Sequence, residues 1–206
     1  MAVSGKPDTR SAVPRVSRGN RARMLRIIGG TWRGRTWRFP DGDIRPTPDR
    51  VRETLFNWLA PGIVGARCLD LFAGSGALGL EALSRGAARV VFVDKAPGAA
   101  RDLRQTLAVW GGERADAAQV QAADATAFLN GRPEAFDVVF LDPPFTAGLL
   151  SQTAARLEAA GWLAPAALIY AECAAREGLP RLPLGWQVAR AGRAGEVGYH
   201  LLRRTP

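Results

Sequence analysis

Histidine and cysteine are nearly missing from these 206 residues, which contain one histidine, His200, and two cysteines, Cys68 and Cys173. Three such residues set far apart cannot furnish the ligands of a structural zinc centre, so no metal is expected. Both cysteines sit in apolar runs that read as strands, where a thiol packs as a small reduced hydrophobe. No apolar run approaches the roughly 18 residues needed to cross a bilayer. The N-terminus is basic, with no apolar core or cleavage pattern behind it, so it is not a secretory signal. Its arginines and serines, with Asp8 as the single acid of residues 1–23, leave a transit peptide open. The cytoplasm is the default expectation, with no contact with membrane.

Negative charge is scarce in one region only. Residues 1–52 hold 13 Lys/Arg against 4 Asp/Glu, while residues 53–206 hold 15 of each, so the whole net charge of +9 lies in the first quarter. Such asymmetry points to a polyanion that touches one end of the molecule. Nearly all of these bases are arginine, which can fork onto phosphate or stack on a base. Residues 1–23 are rich in Pro, Ser, Gly and Arg without periodicity and read as a disordered extension.

Residues 24–62 read as an appendage. LRIIGG and TWRGRTWRF are two β-favouring runs joined at Gly29-Gly30, a hairpin signal. Strand alternation places Trp32, Gly34, Thr36 and Arg38 on one face of the second run, and Arg33, Arg35, Trp37 and Phe39 on the other. Arginine interleaved with tryptophan suits a nucleic-acid surface, although aromatics packed on a core with solvated arginines would read the same way. IRPTPDRVRETLFNWLA then reads as a helix, with Thr47 as N-cap, Pro48 at the first helical position and Asp49 in the first turn. Val51, Leu55, Trp58 and Leu59 form its apolar stripe. Arg26, Arg45, Arg50 and Arg52 complete the candidate RNA-binding set with Trp32, Arg33, Arg35 and Arg38.

Residues 63–206 alternate strand and helix. Strands are expected over 67–73, 89–94, 119–123, 136–141 and 167–174, with helices over 77–85, 97–110 and 148–160. Trp186 to Ala191 and Val197 to Arg203 are joined by a Gly-rich turn and read as a terminal antiparallel hairpin. Short apolar strands separated by helices imply an α/β fold, Rossmann-like, with a mostly parallel seven-stranded sheet covered on both faces.

Two motifs end strands of this ladder. Gly74-Ser75-Gly76-Ala77-Leu78-Gly79 fits G-x-G-x-x-G between a strand and a helix, a turn that brings backbone close to a ligand. Asp94 ends the next strand, where a carboxylate can take both ribose hydroxyls. Those features suit NAD and S-adenosylmethionine alike. Asp70 separates them: a pyrophosphate would be repelled there, whereas a sulfonium and an ammonium are attracted. Asp124, ending the third strand, is placed to accept from the adenine amino group, unless it merely caps a helix.

The second motif, Asp142-Pro143-Pro144-Phe145, ends the fourth strand. The residue before proline is held extended, and the prolines, lacking N–H, leave carbonyls as acceptors on a stiff segment. Phe145 offers a face for a flipped base, worth roughly 1–3 kcal/mol against the few kcal/mol that extrusion costs. Asp142 and a proline carbonyl could accept both N–H bonds of an exocyclic amine and aim its lone pair at a sulfonium methyl. The amine's proton would leave to Asp142 or to water.

RIIGGTWRGR, RPTPDRVRETLFNWLAP, CLDLFAGSGALGLEALSRGA, FLDPPF, GWLAPAALIYAE and EVGYHLLRR together closely resemble the bacterial 16S ribosomal RNA guanine-N2 methyltransferases of the small-subunit head. The resemblance covers nearly all of Arg26 to Arg204. It implies a class I methyltransferase fold, S-adenosylmethionine as donor, N2-methylguanine as product, an assembling 30S particle as substrate and a monomer as the working unit. It maps the cofactor site onto Asp70, Phe72, Ala73, Gly74, Ser75, Gly76, Asp94, Lys95, Asp124 and Ala125, and catalysis onto Asp142, Pro143, Pro144 and Phe145. Asp94 reaches less far towards ribose than a glutamate would. A DNA adenine-N6 methyltransferase is the alternative enzyme, but it would need more than one hairpin to read base edges. A non-enzymatic RNA-binding assembly factor would carry the same charge without needing intact DLFAGSG and DPPF.

Overall fold

A computed structural model describes residues 23–39, 47–146 and 148–205. A two-stranded antiparallel hairpin, β1 (Arg23–Arg26) and β2 (Thr36–Phe39), leads into helix α1 (Asp49–Leu59). The ladder follows in the order β3 (Arg67–Asp70), α2 (Ala77–Ser84), β4 (Arg89–Asp94), α3 (Pro97–Trp110), α4 (Gly112–Asp116), β5 (Ala118–Ala122) and α5 (Ala125–Leu129). It continues with β6 (Phe136–Leu141), α6 (Leu149–Ala159), β7 (Leu163–Ala174), β8 (Trp186–Ala194) and β9 (Val197–Arg204). The seven-stranded sheet runs β5-β4-β3-β6-β7-β9-β8. Only β9 opposes its neighbours, pairing antiparallel with both β7 and β8.

The strands are apolar on both faces because both faces are covered. Cys68, Val90, Phe92, Val138, Phe140 and Tyr170 join one core with α1, α2, α3 and the hairpin. Leu69, Val91, Val93, Val139, Leu141 and Ile169 join the other with α5 and α6. The two sets alternate along each strand, as the pleat requires. Both cysteines are buried free thiols. Among the described residues no helix is long and apolar enough to cross a membrane, and no cluster of His, Cys, Asp and Glu suits a metal ion.

The sheet reverses direction of growth between β3 and β6, which are parallel neighbours with Asp70 opposite Phe140. Ligands of open α/β sheets bind beyond the strand ends at such a switch point. Asp70 and Asp142 therefore lie at the tips of adjacent strands, Asp142 two residues past Asp70's partner Phe140, although 72 positions separate them in sequence.

The hairpin is clamped to α2. Glu81, fully buried, accepts the backbone N–H groups of Ile28 and Gly29, each at 2.8 Å. The same carboxylate pairs with Arg85 at 2.8 Å and lies 3.6 Å from Arg52. Gly30 has φ +79°, and a Cβ there would fall 1.9 Å from the Ser84 carbonyl oxygen, so only glycine allows this approach.

Several expectations change here. The second run of the hairpin is not one strand: residues 31–34 form a turn, and alternation begins only at Thr36. Trp32 therefore leaves the predicted face. It is buried edge-on against Trp110, ring centroids 5.0 Å apart, and is not a surface for stacking RNA. Arg52 is fully buried, bonded to Asp49 at 2.6 Å and to the Arg26 carbonyl at 2.9 Å, so it anchors the fold and does not reach nucleic acid. Thr47 caps no helix; its hydroxyl donates to Glu172 at 3.0 Å, and Pro48 takes the cap position. Arg45 lies outside the described residues. The strand of β7 starts at Leu163, and the short helices α4 and α5 were not foreseen.

Candidate active site

The glycine turn is set by backbone geometry. Gly74 and Gly76 have φ of +50° and +76°, which any Cβ would strain. Gly79 serves packing: a Cβ there would lie 2.2 Å from the Phe92 ring, so glycine lets α2 settle against β4. The turn is also tied to the hairpin, because the Trp37 indole N–H donates to the Ser75 carbonyl at 2.9 Å.

Acids stand at the strand ends around this turn. Asp70, 3% exposed, accepts the Gly79 N–H at 3.0 Å. Burial pushes its carboxyl up to about 7; the Gly79 bond opposes the rise and Asp94 adds to it. Asp94 accepts from Gly74 N–H at 2.7 Å and Ala96 N–H at 2.8 Å, which fixes the carboxylate across the turn. Asp124 does cap α5: its Oδ1 takes Thr126 N–H at 2.8 Å and Ala127 N–H at 3.4 Å, leaving Oδ2 for another donor. Phe72 is half-buried, Ala73, Ser75 and Ala125 are buried, and Lys95 is exposed.

Asp142 leaves β6 half-buried, followed by buried Pro143, exposed Pro144 and a Phe145 ring that is 51% exposed. Burial holds the Asp142 carboxyl well above the usual carboxylate range, with the negative charges of Glu172 and Asp70 adding to it. The Pro144 carbonyl is already engaged, accepting from Thr146 N–H at 2.6 Å and from its hydroxyl at 3.2 Å. Among the described residues that leaves Pro143 as the free proline acceptor.

A fifth acid, Glu172, is not among the residues expected from the sequence. It is 4% exposed near the end of β7 and accepts from the Tyr170 hydroxyl at 2.7 Å and the Thr47 hydroxyl at 3.0 Å. Its signal in the sequence is an acid closing the apolar run ALIYAE, where the next parallel strand would end.

On the hairpin side, Arg26, Arg33, Arg35, Arg38 and Arg50 are exposed. Arg26 pairs with Asp49 at 3.2 Å. Arg35 lies over the Trp32 and Trp110 rings, 5.9 and 5.8 Å from their centroids. Arg33, Arg38 and Arg50 have no protein partner among the described residues.

Glycine turn, acid-tipped strands and the Asp-Pro-Pro-Phe segment at the switch point of this sheet are the architecture of a Rossmann-like methyltransferase. The family model described as "Conserved hypothetical protein 95" matches residues 25–203. The chain is 50% identical over 182 residues to Ribosomal RNA small subunit methyltransferase D of Escherichia coli, covering 88% of this chain and 90% of that protein. It is 42% identical over 180 residues to the protein of the same name from Haemophilus influenzae, covering 86% and 92% respectively. It also superimposes on the solved structure of yhhF from Escherichia coli with a TM-score of 0.82 at 50% identity, covering 88% of this chain and 98% of that one. The chain belongs to this family, which includes the ribosomal RNA small subunit methyltransferase D proteins.

Proposed function

We propose that this chain methylates the exocyclic N2 of a guanine in 16S ribosomal RNA, using S-adenosylmethionine, in a small subunit under assembly. The observation that carries the reading is the placement of Asp70 and Asp142 at the tips of parallel neighbours β3 and β6, next to the glycine turn. The relatives' names, small-subunit methyltransferases at up to 50% identity, support the RNA class.

The residues present fit a cationic nucleoside. Asp70 and Asp142 are acids with no basic partner among the described residues, so a positive ligand relieves their mutual repulsion. A pyrophosphate would add to it. Asp94 would hold the ribose, Asp124 Oδ2 the adenine amine, and the Ser75 N–H of the glycine turn, whose Gly74 and Gly76 N–H groups already donate to Asp94 and to the Ala73 carbonyl, the methionine carboxylate. When bound, the donor supplies an electrophilic methyl on a sulfonium.

The chain's own residues prepare the nucleophile. A guanine amine is weakly nucleophilic because its lone pair is delocalised into the ring. Asp142 and the Pro143 carbonyl accept its two N–H bonds and hold the lone pair in line with the methyl. Phe145 stacks the extruded base. Most of the acceleration comes from this positioning. The free arginines of the hairpin, Arg33 and Arg38, with Arg50 of α1, hold RNA phosphates. The working unit is a monomer in the cytoplasm, where its substrate is made.

Asp142→Ala tests the assignment. The expected result is a loss of at least about a hundredfold in methyl transfer to small subunits, with RNA affinity retained. Unchanged turnover would refute the mechanism, and RNA binding by a wild-type protein with no turnover would make the chain a binding factor.

A further inference from the structure

We propose that Glu172 is a positioning residue for methyl transfer: a buried carboxylate beside the half-buried Asp142, whose charge fits Asp142 to accept the proton that the amine gives up. The inference rests on the reading above, in which Asp142 faces the amine.

The geometry begins with register. Leu141 pairs with Ala171 at the end of the β6–β7 ladder, so the next residues, Asp142 just past β6 and Glu172 still within β7, are neighbours across the two strands. Glu172 is then fixed by hydroxyls from two directions, Tyr170 of its own strand at 2.7 Å and Thr47 at the entry to α1 at 3.0 Å. Both bonds fall on Oε1; Oε2 has no protein donor among the described residues. Tyr170 and Thr47 are themselves buried. Two segments far apart in sequence, the entry to α1 and β7, thus converge to orient one carboxylate beside the reactive segment. A carboxylate needed only for packing would be an expensive choice there.

Charge gives the arrangement a use. The groups facing the pair are Asp70 of β3, with Asp94 behind it, Tyr170 of β7 and Tyr199 of β9, which pairs with Glu172 in register. Among the described residues no arginine or lysine bonds to either carboxylate. Burial raises both carboxyls, and the charge of Glu172 adds to the rise at Asp142. Two such groups titrate as a pair rather than independently.

The step balances as follows. As the N–CH3 bond forms, the S–CH3 bond of the donor breaks and its electron pair stays on sulfur, leaving the nitrogen with a surplus proton. That proton passes to an oxygen of Asp142, made basic enough to take it by the negative charge beside it, and later to water.

Glu172→Gln keeps the shape and a carbonyl acceptor for Tyr170 and Thr47 and removes only the charge. Carboxyl 13C NMR titration of the ligand-free protein should show the Asp142 midpoint falling by about one pH unit. The acid limb of single-turnover methyl transfer should move down with it, and the plateau rate should fall. Thr47→Val removes one donor, so Glu172 holds its proton more tightly and carries less charge. That variant should shift Asp142 in the same direction by less. An Asp142 midpoint unmoved in both variants would overturn the proposal, even if the rate dropped, because a merely structural role predicts that result. A wild-type protein showing the paired titration but no methyl transfer would overturn the function proposed above, and this proposal with it.

Discussion

Asp70 is a residue whose chemistry is set by its surroundings. Its carboxyl ionises near 7, raised by burial, so it is largely neutral at pH 6 and largely ionised at pH 8. A cationic ligand favours the ionised form. Binding below pH 7 must first expel the proton, so the affinity for S-adenosylmethionine should fall by up to about tenfold per pH unit on the acid side. Calorimetry at pH 6 and pH 8 checks this, and equal affinities would remove Asp70 from the cofactor site. The sign for folding is opposite. An acid whose folded value is raised binds its proton more tightly when folded, so the ligand-free protein gains from Asp70 at low pH and loses that contribution as pH rises towards 7. Gly79 makes a second test at this scale. Its Cβ would meet the Phe92 ring at 2.2 Å. Gly79→Ala should therefore cost about 1–3 kcal/mol in thermal unfolding and weaken cofactor binding by tilting α2; unchanged stability would show that the ring can move aside at no cost.

At the scale of elements, the hairpin depends on one buried carboxylate. Glu81 holds two backbone N–H groups of the hairpin and two arginines. Glu81→Ala leaves Arg52 buried without its charge partner on α2, which should cost about 3–5 kcal/mol and speed amide exchange at Ile28 and Gly29 before the rest of the chain opens. Protection unchanged at those two amides would mean that apolar packing alone holds the hairpin. This clamp also marks where sequence reading stops. The bounds of β4, α3 and β6 could be read residue for residue, because long apolar runs and clean helical periodicity leave little choice. Helices α4 and α5, five residues each, are too short to show a period. Trp32 was misplaced because four turn residues interrupt the strand alternation, and Arg52 because its partners Asp49 and Glu81 lie on two different helices. Asp70 and Asp142 were legible as strand-ending acids. Glu172 was not, since its meaning depends on which strand pairs with which.

The whole molecule is electrically lopsided, with its entire net charge of +9 carried by residues 1–52, part of which lies outside the described residues. Within the described part, Arg33 and Arg38 are exposed and unpaired, whereas Arg35 is committed to Trp32 and Trp110. Charge reversal of Arg33 and Arg38 together should weaken RNA binding and flatten the plot of log affinity against log salt by about one to two units. An unaltered slope would move the RNA surface off the hairpin. The fold ties that basic end to the glycine turn through the Trp37–Ser75 bond of 2.9 Å, so RNA held on the hairpin, as proposed, would lie next to that turn. The most direct test of the account is to transfer labelled methyl groups from S-adenosylmethionine to small subunits that lack the modification, with duplex DNA alongside, and to identify the nucleoside by mass. The account predicts N2-methylguanosine from the ribosomal RNA and no label in DNA. Label in N6-methyladenine, or in neither nucleic acid, would contradict it.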